Sequence, residues 1–100
     1  MSIYIKTELI KKEFLTKNDL KHRIINEHIN WVKNLNKRGI DIKSGYLVDE
    51  FKRPGAGGLL IIEMNTYKDA LEIIKNDPMI KNNIVEWKLN EWIDINQLII

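Results

Sequence analysis

Between Thr16 and Gly39 the chain carries one apolar stripe at helical spacing, and it limits the possible folds more than any other segment. At ~100° per residue, Leu20, Ile24, His28, Trp31 and Leu35 fall within roughly 80° of one another, and Ile25 and Val32 widen the stripe. A helix of this kind has one face that must be covered and an opposite face that belongs to solvent. Thr16 with Asp19 three residues on reads as a capping-box start. Gly39 tolerates the left-handed geometry that closes a helix after about Arg38. Within the stripe His28 is the wrong residue for simple packing. His22 lies well off the face and reads as solvated.

The rest of the chain supplies what covers the stripe. Ile3-Tyr4-Ile5 begins a first strand running to about Ile10. Ile40 to Val48 alternates, with Ile40, Ile42, Ser44, Tyr46 and Val48 on one side. Glu50 to Gly58 contains Pro54-Gly55-Ala56-Gly57-Gly58, a loop by composition. Leu59-Leu60-Ile61-Ile62 is a short, continuously apolar strand. Thr66 and Asp69 open a second, shorter helix carrying Ala70, Leu71, Ile73 and Ile74. This helix ends at Asn76-Asp77, because the residue before Pro78 avoids helical geometry. Ile84 to about Trp92 alternates as a last strand, and Ile95 to Ile100 is an apolar tail expected to dock. The order is βαββαβ in a single domain over residues 1–100, an α+β ferredoxin-like pattern with an antiparallel sheet and both helices on one face. Such a sheet has a bare second face, and Leu59 to Ile62 puts large apolar side chains on both faces. A homodimer packed sheet against sheet is the expected cover, and a chain of 100 residues gains stability from it.

Composition excludes several function classes. A formal charge of +2, with basic pairs only at Lys11-Lys12, Lys37-Arg38 and Lys52-Arg53, does not build the clustered positive face that nucleic acid requires. Without cysteine there are no disulfides, no thiolate chemistry and no cysteine-ligated zinc, which fits a cytoplasmic protein. No run is long and apolar enough to span a membrane. The Gly-rich segment lacks the Lys-Ser/Thr ending of a phosphate cradle and precedes a strand, not a helix. No cofactor is expected. Neither is a metal, since His28 and Asp77 supply too few ligands.

The segment His28-Ile29-Asn30-Trp31-Val32-Lys33-Asn34-Leu35, then Gly39, Ser44-Gly45, Gly58-Leu59-Leu60-Ile61-Ile62, Ala70 and Asn76-Asp77-Pro78, resembles in its order the YciI-like (YCII-related) family of the dimeric α/β-barrel superfamily. The resemblance implies the ferredoxin-like subunit and a back-to-back dimer. It also implies that His28 and Asp77 meet as a His–Asp dyad lining a cleft. Two features depart from the family pattern. Tyr46 follows Gly45 where a proline is common, and Asp49 to Gly58 is long. Superfamily relatives range from muconolactone isomerases and cofactor-free quinol monooxygenases to ligand-binding regulatory modules, so the fold does not fix the reaction.

These residues support a small-molecule enzyme of isomerase, lyase or hydrolase type. His28 acts as base or acid, and Asp77 accepts a hydrogen bond from one ring nitrogen and sets the tautomer. Ser44, Gly45, Tyr46 and Arg23 are the candidate substrate-binding residues, Arg23 through its guanidinium fork. The alternative is a non-catalytic metabolite-binding or accessory dimeric module, in which the same pair only anchors a ligand or pins the helices.

Overall fold

The computed structural model describes residues 1–98. Four strands form one antiparallel sheet in the order β2-β3-β1-β4: β1 (Ser2–Ile10), β2 (Ile42–Val48), β3 (Pro54–Met64) and β4 (Val85–Trp92). Helices α1 (Asn18–Lys37), α2 (Tyr67–Ile74) and the single-turn α3 (Pro78–Lys81) accompany it. Short 3₁₀ turns lie at Lys12–Phe14 and Ile95–Leu98. This is the expected ferredoxin-like βαββαβ order with one added turn of helix. Among the described residues no helix is long and apolar enough to cross a membrane.

Cross-strand register decides which side chains lie under the helices. Tyr4 pairs with Ile62, Lys6 with Leu60 and Leu89, and Ile42 with Ile62. All of these are buried, so the even-numbered residues of β1 face the helix layer. Tyr4, Leu35, Ile42, Leu60, Ile62, Ala70, Ile74 and Leu89 form the larger core cluster. Ile24, Met79, Ile84 and Val85 form a second. Each fully buried aliphatic side chain here contributes on the order of 1.5–3 kcal/mol of transfer free energy. α1 serves both clusters, Ile24 in one and Leu35 in the other, and His28 lies between these two on the stripe. His22 is exposed, as its position off the stripe requires.

Several boundaries differ from expectation for identifiable reasons. Thr16 does not cap α1. The 3₁₀ turn carries on through a Lys17 N–H bond to the Phe14 carbonyl, so Lys17 becomes the cap residue, without a side-chain bond. Thr16 is one position too early. At the other end Gly39 has φ of 86°, with Gly39 N–H bonded to the Asn36 carbonyl and Ile40 N–H to that of Leu35. Thr66 caps α2 by accepting from the Asp69 N–H at 3.1 Å.

Pro54 to Gly58 is strand, not loop. Val48 pairs with Pro54, Tyr46 with Gly58 and Glu8 with Gly58, across a bulge between Tyr46 and Val48. Glycine there serves close approach: a Cβ on Gly57 would stand 2.2 Å from the Glu8 carbonyl oxygen. Residues 49–53 alone make the connection. In it Asp49 Oδ1 accepts from the backbone of Phe51 and Arg53, and Asp49 Oδ2 from the Arg53 side chain.

The second helix stops at Ile74, and Asp77-Pro78 starts another. Pro78 stands at the first helical position, where its missing N–H costs nothing, and Asp77 caps the turn. The last strand begins at Val85. The expected docking of the tail is not found over Ile95 and Leu98, which are exposed on the single chain. Ile99 and Ile100, part of the same expectation, lie outside the described residues.

Candidate active site

The site is a line of polar side chains from four elements, running from the sheet interior to its edge. It begins at Lys6. Strand alternation turns this residue toward the helices between Leu60 and Leu89, and its side chain has no solvent exposure. An ammonium in such surroundings persists only with partners. Lys6 Nζ donates to Asp77 Oδ2 at 2.5 Å and also pairs with Glu8, two residues along the same strand face.

Asp77 is held at the junction of α2 and α3 and is fully buried. Its Oδ1 accepts from the Met79 N–H at 2.9 Å and is 2.8 Å from His28 Nδ1. The cap role and the dyad role are therefore carried by one oxygen, and Lys6 occupies the other. Burial by itself would raise the Asp77 pKa. The hydrogen bond from His28 and the nearby Lys6 ammonium outweigh it, and the carboxyl group is held below its ordinary value. Asp77 is therefore an anion at neutral pH.

His28 projects from the middle of α1, 12% exposed at its side chain. Its ring lies 5.6 Å from that of Trp31, tilted by 38°. The far nitrogen, Nε2, is 2.8 Å from Ser44 Oγ. Ser44 sits on β2, the outermost strand beside β3, and is exposed. Its parity with Ile42 turns it to the helix side of the sheet. The shallow hollow that Ser44, Gly45 and Tyr46 border along β2 also takes in Lys43, Leu59 and Ile61, whose register places it on the uncovered face of the sheet, opposite the imidazole.

The structure thus brings Asp77 and Ser44 to opposite ring nitrogens of His28. Gly45 follows Ser44 on β2 and by strand parity turns to the opposite face of the sheet, while Tyr46 returns to the Ser44 side at 72% exposure. Arg23 is not brought to the site. It is exposed, makes no hydrogen bond or ion pair among the described residues, and lies about 140° around α1 from His28. Sequence reasoning missed Lys6 and Glu8. They share a strand face with Tyr4, but that is the more polar side of β1, and alternation alone points the apolar side inward. Among the described residues no group of three or more His, Asp or Glu side chains gathers to hold a metal ion.

No family model and no curated protein sequence matches the chain. Solved structures do. The 5-chloro-2-hydroxyhydroquinone dehydrochlorinase of Burkholderia phenoliruptrix AC1100, in complex with 2,5-dihydroxybenzoquinone, superposes with a TM-score of 0.69 at 16% identity, over 91% of this chain and 93% of that one. The de novo designed protein Ferredog-Diesel superposes with a TM-score of 0.57 at 12% identity, over 90% of this chain and 84% of that one. At these identities the likeness is one of fold, and it agrees with the ferredoxin-like topology.

Proposed function

We propose that this chain is a small-molecule enzyme of the YciI-like kind, in which His28 transfers a proton and Asp77 orients it. The observation that carries this reading is the pair of bonds on the imidazole. A buried carboxylate takes Nδ1, and Nε2 is aimed at the exposed edge of the sheet. A positioned base of this sort contributes on the order of 10²–10⁴ in rate, enough for a substrate that is already activated. The dehydrochlorinase of like fold acts, by its name, on a chlorinated hydroxyhydroquinone. Polyhydroxylated rings and their quinones, whose hydroxyl hydrogens are acidic and whose ring carbons exchange hydrogen through the keto tautomer, are accordingly the substrate class to test first. A cytoplasmic location suits a chain without cysteine.

The enzyme works as a homodimer on this reading. The odd-numbered side of β1 faces away from the helices. There Ile3, Ile5 and Leu9 join Leu59, Ile61 and Trp92 on the uncovered face of the sheet, with Leu9 55% and Trp92 50% exposed. An apolar surface of this extent calls for a cover, and a second copy supplies a matching one.

The test is deuterium exchange at the ring carbons of 2,5-dihydroxybenzoquinone, followed by NMR. The protein accelerates exchange, and His28→Ala and Asp77→Asn each reduce the acceleration by about 10²-fold or more. Full exchange activity in either folded variant sinks the proposal. One observation favours a second, purely structural reading: Asp77 also caps α3 and ties β1 to α1. In that case His28→Ala lowers stability and the wild-type protein accelerates nothing.

A further inference from the structure

The imidazole's outer nitrogen is not free, and the direction of its hydrogen bond follows from the buried end of the line. Lys6 can only donate, and Asp77, held as an anion, can only accept. The proton between His28 Nδ1 and Asp77 Oδ1 therefore belongs to Nδ1. In a neutral ring Nε2 is then a bare lone pair, and among the described residues the group placed against it is the Ser44 hydroxyl, 2.8 Å away. Ser44 must donate. Its hydroxyl proton points at the imidazole, and the oxygen lone pairs are left on an exposed residue of the edge strand, where no further strand blocks approach.

We propose that Ser44 is a nucleophile and that Ser44, His28 and Asp77 form an acyl-transfer triad acting on small activated esters or lactones. This rests on the reading of His28 as a base and names a substrate class for it. Ser44 Oγ attacks the carbonyl carbon while its proton passes to His28 Nε2, and the carbonyl π pair moves onto oxygen. When that pair returns, the C–O bond to the alcohol breaks and the leaving alkoxide takes the proton from Nε2. Water, the second substrate, then attacks the acyl–Ser44 ester and gives its proton to Nε2. Ser44 Oγ departs with that proton, and the carboxylic acid is released. Nothing is oxidised or reduced. Asp77 stabilises the imidazolium formed in each half, and Lys6 acts as a positioning residue that keeps Asp77 ionised.

The site is tested with p-nitrophenyl acetate and, separately, with phenylmethanesulfonyl fluoride. The triad predicts a burst of p-nitrophenol close to one per chain and sulfonylation that maps to Ser44. Ser44→Ala, a change at an exposed position, lowers hydrolysis by about 10²-fold or more with no loss of melting temperature. His28→Ala prevents labelling of Ser44. Unchanged hydrolysis in Ser44→Ala, a label on another residue, or no hydrolysis by the wild-type chain overturns the nucleophile. The ring-exchange assay separates the two claims. His28→Ala at the wild-type exchange rate removes the base itself. Exchange lost in His28→Ala, with ester hydrolysis unaffected by Ser44→Ala, removes the nucleophile alone.

Discussion

Replacing Lys6 by methionine isolates the charge at the centre of the site. Methionine keeps an unbranched, largely apolar stem of similar length, so packing against Leu60 and Leu89 changes little. What is lost is the ammonium that donates to Asp77 and pairs with Glu8, in a place where Lys6 and Asp77 have no exposure and Glu8 only 10%. Two carboxylates then remain together with no cation between them. Removing one partner of a buried ion pair costs about 3–5 kcal/mol, a large part of the roughly 5–15 kcal/mol that holds a typical domain folded. For a chain of this size each kcal/mol moves the melting temperature by about 4–8 °C, so a fall of at least about 12 °C is expected. Urea unfolding at neutral pH, followed by circular dichroism, reads the loss directly as a lower midpoint at unchanged slope. Adding Glu8→Gln and Asp77→Asn to Lys6→Met recovers part of it, since the unpaired charges go. A loss below about 1 kcal/mol in Lys6→Met refutes the reasoning: the ammonium would then be reaching water.

Other consequences test separate parts of the structure. Because the folded-state pKa of Asp77 is depressed, its bonds contribute fully above the unfolded-chain value of about 3.9, and the contribution is lost as pH falls through the lower folded value. Asp77→Asn should therefore flatten the decline of the urea midpoint below about pH 5, whereas a parallel decline in both proteins argues against it. Gly57→Ala, at φ of 92° and against the Glu8 carbonyl, should cost about 1–3 kcal/mol or more in a thermal melt. Gly45→Ala, with open space around the added methyl, should stay within about 0.5 kcal/mol. Sedimentation at micromolar concentration should show a dimer that Ile61→Lys converts to a folded monomer, and a monomeric wild type contradicts the covered sheet face.

What the sequence disclosed depended on whether a local rule was in competition with a tertiary one. The stripe from Leu20 to Leu35 was readable because helical spacing and burial agree there. Gly39 and the Asp77-Pro78 exit were readable because each follows from backbone sterics, and Thr66 because its hydroxyl accepts from the Asp69 N–H three residues on. The proximity of His28 to Asp77 came from a resemblance, since no local rule joins residues so far apart in the chain. Lys6 escaped because alternation in β1 points the other way. Ile3, Ile5 and Leu9 form the apolar side of that strand, yet they lie on the open face, and the polar side goes under the helices. Only cross-strand register and the sequestered anion at Asp77 explain it. Pro54 to Gly58 reads as a loop because glycine and proline composition signals freedom. There it serves the close approach of β3 to β1. The single turn at Pro78–Lys81 is too short to show periodicity, so the sequence marks Asp77 as a helix exit and as the partner of His28 but not as the cap of a further turn.

The most direct test of the whole line from Lys6 to Ser44 is the tautomer of His28, read by nitrogen NMR of the imidazole in its neutral form. The proton should sit on Nδ1, shared with Asp77, and Nε2 should show the chemical shift of an unprotonated ring nitrogen. A neutral His28 with its proton on Nε2 would mean that the carboxylate does not orient the ring, and both the base and the triad would fall with it.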